Sequence, residues 1–592
     1  MPTDSHCEST RREAKPGEQR RQRIALVFPP AVLPTSAPLG ISCLKAWLES
    51  SPEGASIEVR NFDLNLAYFE LALRWLGEQR LRMSLGKMES QTTAQKVRAA
   101  VDFLRGMGPD SFFDLHRYDE HAAIYTRFGL VLDGLFDSFA RKILLGLQVP
   151  AAVSGFFEDL ILPIKSFKPD LVGFSILFSQ QLFFALALAK LFKRANDASG
   201  PKNRATLLTH SQMKIVLGGA TFSVMPDPGR ILTSVPVNIG NVQGSVDPAE
   251  LIDYLIVGEG EKGLEALVKS RLFPGDSSPG LVYRKEGKIV KNPAQGVRDL
   301  NTLPLPEFCD TPPHLYHSPE PVLPYLSSRG CPWRRCAFCT HQRTYLDYRE
   351  ERAEVTAERI SLLHQRYGAN YFCFVDEMLY PERVDKISAQ LVGKNTVVRF
   401  CAYAKPKGFS PSLFAKAHGA GLRLLLWGVE SGSRRVLELM GKGTDPAEVK
   451  TILDCAHAAG IWNLLFVMFG FPTETSSEWL ATLDFLDSCS ACVQALSRSR
   501  FILLEGSRVF RDPQRYGISR IIDRPKRDPV SIAYDYEVSE GLGFEEAAVL
   551  FRQSLPRLSK LERCAWFGQL REHMLLYASQ DKPLSSNLPV LG

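Results

Sequence analysis

The sequence predicts two tandem α/β units with parallel sheets, the second a barrel or an open partial barrel, and a C-terminal helical region. Three observations carry this. Short apolar runs of strand type alternate with helical patterns along most of the chain, which is the signature of parallel sheets with crossover helices. Several of those runs end in glycines or carboxylates instead of fading into polar loops. The 592 residues allow about three or four domains at roughly 150 residues each.

The first unit opens with the strand signal "RIALVFPP" from Arg23, the helical "LGISCLKAWLES" (Leu39 to Ser50) and a second strand, "SIEVRNFDL". A long helical insert is expected over 67–165. "KPDLVGFSIL" then reads as a buried strand, followed by the helix "SQQLFFALALAKLFKRA". "KIVLGGA" and "DYLIVGEGE" are strands ending in glycines. Pro and Gly punctuation over 276–320, around the hairpin "GLVYRKEGKIVKN", reads as a linker. We therefore set the units at 1–22 (a disordered tail), 23–275, 276–320 (linker), 321–515 and 516–592.

The unit over 321–515 holds six strand candidates, each pair separated by a helical pattern: "VLPYLSS", "YFCFVDE", "VVRFCAY", "LRLLLWGVES", "NLLFVMFGF" and "RSRFILLEG". In such barrels chemistry sits at the C-terminal ends of the strands. After about residue 520 the sequence, with "FEEAAVLFRQSLPRLSKLERCAWFGQLREHMLLYA", reads as helical.

Composition narrows the function classes. Apolar residues make up 45% and charged residues 23%, with a net charge of +6, as in ordinary globular proteins. The first residues are polar and basic without an apolar core, so no secretory signal is expected. The run "LFFALALAKLF" is too short to span a bilayer. A cytoplasmic protein without membrane contact is the expectation. Basic spots such as "RIIDRPKRDP" alternate with acids, so nucleic acid is not an expected partner. Twelve cysteines in 592 residues are too few for a disulfide scaffold, and clustered thiols in a reducing compartment mean metal or catalysis. The nine outside the cluster read mostly as small buried hydrophobes. Among them, "CSAC" (Cys489 to Cys492) reads as helix packing.

Cys331, Cys336 and Cys339 lie within nine residues directly after the first barrel strand. A closed zinc site wants four ligands; the nearest fourth is His341, cramped against Cys339. A [4Fe–4S] cluster takes one thiolate per iron, so three thiolates leave one iron open to a small molecule.

With this trio, followed in order by "FVDEML", "WGVESGS" and "MFGFPTET" at later strand ends, the sequence resembles the radical S-adenosylmethionine (SAM) enzymes. The first cysteine gap is one residue longer than the usual C-x3-C-x2-C. The resemblance implies a [4Fe–4S] cluster on Cys331, Cys336 and Cys339, and SAM chelated at the open iron. One electron would cleave SAM to a 5′-deoxyadenosyl radical. It assigns Phe338 to the cluster loop, Asp376 and Glu377 to the SAM ammonium, and Glu430 and Ser431 to the ribose. Gly470 and Pro472 fall to the adenine turn, and Arg399, or alternatively Lys405, to the methionine carboxylate. Solvated strand-end acids and an ordinary strand-ending turn are the plain alternatives.

The five segments of the first unit resemble the cobalamin-binding type of this family, whose N-terminal domain is a doubly wound, Rossmann-like sheet. The resemblance implies cobalamin at the glycine-ended strands, near Ser175, Gly218, Gly219, Gly258, Glu259 and Gly260. The family's Asp-x-His-x-x-Gly signature is absent, and His210 in "LLTHSQM" reads as a solvated, non-ligating residue. The function implied is cobalamin-dependent C-methylation of a peptide or natural product, supplied by an electron donor such as flavodoxin or ferredoxin. Alternatives are a cobalamin-independent radical enzyme (cyclisation, crosslinking or oxidation) and a non-catalytic zinc scaffold. The sequence names no catalytic side chain, and it does not name the peptide or small-molecule substrate.

Overall fold

The structure is a computed structural model that describes residues 20–81, 90–107, 111–198, 213–273, 275, 277–345, 347–522 and 531–580. His210 and residues 1–19 lie outside them. The first unit is built from β1 (Gln22–Phe28), α1 (Leu39–Ser50), β2 (Ile57–Asp63), α2 (Leu64–Gly77), α3 (Ser90–Leu104), α4 (Leu115–Leu145), α5 (Ala151–Phe167), β3 (Leu171–Ser175), α6 (Gln181–Ala198), β4 (Lys214–Gly218) and α7 (Ala220–Ser223). The small hairpin β5 (Val235–Ile239) and β6 (Val242–Val246) follows, then β7 (Tyr254–Ile256), α8 (Gly260–Lys269), β8 (Leu281–Lys285) and β9 (Lys288–Lys291).

The seven-stranded sheet has the order β2-β1-β3-β4-β7-β8-β9. Its first five strands are parallel, and β8 and β9 add antiparallel at one edge. Alternation along β1 sends Ile24 and Leu26 to the face covered by α1 and α8. Ala25 and Val27 point to the opposite face, under the helical insert. Period-two alternation of apolar side chains on both faces is what a doubly wound sheet requires. The insert is helical as expected: Asp63 caps α2 by accepting from Asn65 N and Leu66 N, Asp114 caps α4, and Gly146 ends it at φ 72°. Each cap stabilises its helix by about 1 kcal/mol. The hairpin expected in a linker is instead part of the sheet, because its apolar Leu281, Val282 and Tyr283 bury against β7.

The second unit contains β10 (Val322–Tyr325), β11 (Ser328–Arg329), β12 (Arg349–Glu350), α9 (Ala353–Tyr367), β13 (Tyr371–Phe374), α10 (Pro381–Gly393), β14 (Arg399–Ala404), α11 (Pro411–Gly419), β15 (Leu422–Glu430), α12 (Arg434–Leu439), α13 (Pro446–Ala458), β16 (Trp462–Phe469), α14 (Ser476–Ser488) and β17 (Ala495–Arg500). β10-β13-β14-β15-β16-β17 form one six-stranded sheet in that order, parallel throughout. This is the expected partial (β/α)6 barrel. Proline at the first helical position starts α10, α11 and α13, where its missing N–H costs nothing. A Thr475–Glu478 capping box starts α14. Outward-facing Phe372, Phe400, Trp427 and Val467 pack under the helices.

Residues 516–592 depart from the helical expectation. After β18 (Leu503–Leu504) and α15 (Arg508–Arg511), β19 (Ile518–Ile522) and β20 (Ala533–Val538) join β18 in a small antiparallel sheet. Their alternating "ISRII" and "AYDYEV" carry a strand period. Among the described residues of this region, α16 (Phe544–Ser559) and α17 (Arg571–Ala578) are the helices of two turns or more. α17 lies on the inner face of the barrel, where Met574, Leu575 and Leu576 share a buried cluster with Cys373, Cys401, Leu424, Leu426 and Leu464. Burying each such side chain contributes about 1.5–3 kcal/mol. Of the isolated cysteines, Cys373, Cys401, Cys489, Cys492 and Cys564 are buried, while Cys43, Cys309 and Cys455 are half-buried. Among the described residues no helix is long and apolar enough to cross a membrane.

Candidate active site

β11 and β12 pair antiparallel, Ser328 with Glu350 and Arg329 with Arg349, so residues 330–348 form a closed loop beyond β10. This loop carries the three cysteines. Neighbouring segments stitch it down: Ala337 N donates to Met440 O at 2.7 Å, Val509 N donates to Ala337 O at 3.1 Å, and Trp333 Nε1 donates to Gly441 O at 3.0 Å. The Arg508 guanidinium donates to Arg334 O at 3.0 Å. Phe338 packs beside Ala337 in a cluster with Met440, Phe471 and Phe501. The cysteines are half-buried.

Burial raises the Cys336 thiol above its ordinary range. It pushes Cys339 to about 12, with Cys336, Glu377 and Cys331 adding to the shift. These protons are held firmly unless a cation replaces them. Two lysines stand by. Lys405 lies on the Trp333 ring, 2.9 Å from its centroid, and burial, then Lys407 and Lys442, lower it to about 8. Lys442 is buried and paired with Glu430 at 2.8 Å. Burial works against its charge, but Glu430 and Cys336 outweigh burial and hold it above its ordinary value. Among the described residues no three His, Cys, Asp or Glu side chains converge closely enough to hold one metal ion. A four-iron cluster needs its thiolates spread around it, one per iron, and three sulfur donors on one loop with flanking cations suit that anionic group.

Glu430 ends β15 in an unusual state. It is buried, sits at φ 72°, and the β15–β16 register shifts between Gly428 and Glu430. A left-handed, β-bulged glutamate costs about 1–2 kcal/mol of backbone strain, and bulges of this kind re-aim side chains beside sites. Gly428 makes the arrangement possible: a Cβ there would stand 2.5 Å from Lys442 Nζ and 2.9 Å from Glu430 Oε1. The pair therefore lies over the inner face of β15.

The two carboxylates after β13 part company. Asp376 is fully buried and accepts from Ser327 N at 3.2 Å, Ser327 Oγ at 2.9 Å and Ser328 Oγ at 2.5 Å. It ties β13 to the base of the cysteine loop. Glu377 is partly exposed and pairs with His341 Nδ1 at 2.8 Å, a hydrogen bond that raises the histidine. Burial raises Asp376 to about 6 from an ordinary 3.8, although both serines favour its charge. Its folded value exceeds its unfolded one, so its contribution to stability is complete below about pH 4 and fades as pH rises through 6. Asp376→Asn keeps an acceptor and removes the titration. We expect the wild-type melting temperature to fall relative to Asp376→Asn between pH 4 and 6.5, with a constant difference above that. Calorimetric scans across this range check it, and a constant difference throughout would contradict the assignment.

Arg399, Ser431 and Gly470 are engaged within the chain. Arg399 opens β14 and donates to Val398 O. It stands at the N-terminal end of the strand, opposite the cysteine loop, so its assignment is corrected. Lys405, just past the other end of that strand, is the cation by the site. Ser431 Oγ bonds Thr482 Oγ1 and accepts from Ser433 N, bracing the turn. Gly470 N donates to Glu474 Oε2 and Gly470 O accepts from Tyr536. Gly470 and Pro472 are both buried.

In the first unit, Ser175 and Gly218 end β3 and β4, at the carboxyl edge of the sheet. The strand order reverses between β1 and β3, where doubly wound sheets form a ligand crevice. Gln181 ties the two loops there: Oε1 accepts from Leu177 N and Phe178 N, and Nε2 donates to Pro29 O. Leu177 and Phe178 are exposed at this edge. Gly219, at φ 112°, is required by the chain itself, since a Cβ would lie 2.3 Å from Ile176 O. Gly258 N donates to Ser223 Oγ, and Gly260 opens α8. Glu259 is corrected outright as a ligand contact. It is buried among Arg329, Arg349 and Val297 N, and Arg329 also reaches Glu261 at 2.5 Å. These ion pairs join the first sheet to the base of the cysteine loop. The sequence gives no sign of them, or of Lys442, because their partners are distant or carry no motif.

Residues 325–486 match the family model of the Radical SAM superfamily. The matched segment carries the cysteine loop, and the matched family implies a [4Fe–4S] cluster and SAM as cofactors. An uncharacterized methyltransferase of Pyrococcus horikoshii is 27% identical over 338 residues, 56% of this chain and 66% of the relative. The cobalamin-dependent S-adenosylmethionine radical enzyme OxsB, solved with aqua-cobalamin and S-adenosylmethionine bound, matches with TM-score 0.57 at 15% identity, over 90% of this chain and 66% of OxsB. The radical S-adenosylmethionine methyltransferase TsrM from Kitasatospora setae, solved with tryptophan substrate and a SAM analog, matches with TM-score 0.54 at 15% identity, over 91% of this chain and 89% of TsrM. The chain spans just under two thirds of the length of the Pyrococcus relative and of OxsB. These structural matches share its two-sheet fold.

Proposed function

We propose that this chain is a radical SAM enzyme that binds a [4Fe–4S] cluster through Cys331, Cys336 and Cys339 and methylates a carbon of a peptide or natural product with the help of cobalamin. The observation that carries the reading is the three-cysteine loop after the first barrel strand, flanked by Lys405 and by the strained Glu430–Lys442 pair. Held by Cys331, Cys336 and Cys339, such a cluster would supply the electron for reductive cleavage of SAM. The chain's part is to hold SAM. Glu377, half open beside Cys339, suits the ammonium; Asp376, enclosed by two serines, does not. Glu430 suits the ribose hydroxyls. An external electron donor, flavodoxin-like or ferredoxin-like, completes the set.

Cobalamin fits the first sheet by the crevice between β1 and β3 and its exposed Leu177 and Phe178. The engagement of Gly219 and Glu259 within the chain favours a second reading, a radical enzyme without corrin. Anaerobic reconstitution with iron and sulfide, followed by absorption and electron paramagnetic resonance spectra with and without SAM and hydroxocobalamin, tests both. A four-iron signal perturbed by SAM, with bound corrin absorbance, supports methylation. The same signal with no corrin supports the second reading, and zinc-loaded, iron-free protein indifferent to SAM would defeat both.

Replacing Glu430 by Gln keeps the side chain's shape and removes its charge. Affinity for SAM should fall about tenfold or more, the loss of roughly 1.4 kcal/mol, and stability should fall as well because Lys442 is left buried without its carboxylate, so affinity is read per bound iron. Equilibrium binding of SAM to the reconstituted variant measures this.

A further inference from the structure

The inner face of the barrel is divided into two layers. In the lower layer Cys373, Cys401, Leu424, Leu426 and Leu464 are buried beneath α17. In the upper layer Tyr403, Gly428, Phe466 and Met468 are only half-buried, so the mouth is open. Arg571, the first residue of α17, stands at the boundary. Its guanidinium lies 5.7 Å from the Tyr403 ring centroid and 5.1 Å from that of Phe466, and the two rings are near-parallel at 12°. Nε donates to Gly568 O and Nη1 to the Tyr403 hydroxyl.

Register sets its height. Tyr403 pairs with Leu426 and Phe466 with Gly428, so Arg571 spans β15 directly below the Glu430–Lys442 pair. Among the described residues Nη2 has no hydrogen-bond partner and Arg571 has no carboxylate partner. Arg359, Arg435 and Arg498 of the barrel meet Glu351, Glu478 and Glu562, while Arg383 and Arg500, which make no ion pair among the described residues either, donate to backbone carbonyls away from the mouth. An unpaired, half-buried cation at an open mouth favours an anion, and a guanidinium presents the fork that suits an oxyanion.

The geometry points to Arg571, flanked by Tyr403 and Phe466, as the site that takes a carboxylate or phosphate group of the substrate, with an apolar or flat body lying against the stacked Tyr403 and Phe466 rings. This rests on the proposed reading of the barrel mouth as the reaction chamber. It adds the substrate's charge, which no motif announces.

The test uses the full, reconstituted chain with SAM bound and three probes followed by fluorine NMR: 4-fluorobenzoate, 4-fluorophenyl phosphate and the neutral 4-fluorobenzyl alcohol. Wild type should bind one or both anions at least about tenfold more tightly than the alcohol, as charge-assisted hydrogen bonds require. The stronger anion tells carboxylate from phosphate. Arg571→Gln should reduce the anions to the level of the alcohol, Arg571→Lys should keep part of the preference, and the remote surface variant Lys450→Gln should match wild type. In wild type without SAM, reducing the cluster should broaden the bound fluorine signal by its paramagnetism, a readout that does not depend on how a variant folds. Equal binding of the anions and the alcohol, no effect of Arg571→Gln, or no paramagnetic broadening in a protein whose cluster responds to SAM would each overturn the inference. Loss of SAM binding in Arg571→Gln would overturn it too, by giving the arginine to the cofactor. A chain that assembles no SAM-responsive cluster instead defeats the parent reading, and the anion titration still reports on Arg571.

Discussion

Cys336→Ala, purified and reconstituted without oxygen, should retain less than about a tenth of the wild-type iron and sulfide and give no SAM-perturbed resonance signal, because a cluster held by three thiolates has none to spare. Its fold should survive. Cys336 is a small, half-buried side chain, and its loop is held by Ala337 N to Met440 O, Trp333 to Gly441 O and Arg508 to Arg334 O, none of which involves the thiol. Near-ultraviolet dichroism should therefore match wild type. Iron analysis and resonance spectra at low temperature decide the matter. Full iron occupancy in the variant would mean that the metal lies elsewhere.

The second large effect is structural. Arg329→Met removes the guanidinium that serves Glu259 and Glu261 together. Both carboxylates are buried, and although Arg349 remains for Glu259, Glu261 loses its ion-pair partner. Breaking a buried pair from one side costs about 3–5 kcal/mol. The two sheets should loosen at their junction, seen as an earlier transition in denaturant unfolding. The triple variant Arg329→Met, Glu259→Gln, Glu261→Gln should regain much of the loss, since no charge is then left uncompensated. A full effect in the triple variant would mean that packing, not charge, carries the junction. Because Arg329 lies two residues before Cys331, cluster loading should fall alongside stability in the single variant.

Strand type was legible because buried parallel strands are short, apolar and separated by amphipathic helices, so five of the six barrel strands lie close to their expected spans; the sixth, Ala495–Arg500, starts earlier than "RSRFILLEG", whose later residues supply β18 of the small antiparallel sheet instead. The cysteine trio and Glu430 could be picked out by residue type and spacing, and the structure sets them beyond β10 and at the end of β15. Arg399 misled because the preceding Val397 and Val398 extended the apparent strand by two residues and concealed that the arginine opens it. Glu259 looked like a strand-end ligand, but its partners lie 70 and 90 residues away, and no local pattern encodes them. The strands at 518–522 and 533–538 were hidden by a mixture of charges that also suits a helix. α17 was legible as a helix but not as the inner wall of the barrel, since a short apolar segment does not declare which surface it will cover.

That inner wall has a consequence for how the molecule is assembled. Glu572 accepts hydrogen bonds from Thr35 and Ser36, contacts between residues 537 and 536 positions apart. Closing so long a stretch of chain is slow, and it delays every contact that depends on it. During synthesis the six barrel strands leave the ribosome before residues 571–578 exist to cover them, so a nascent barrel exposes Leu424, Leu426 and Leu464 until α17 arrives. In that interval the chain is at its most vulnerable to aggregation, and its lumen is at its widest.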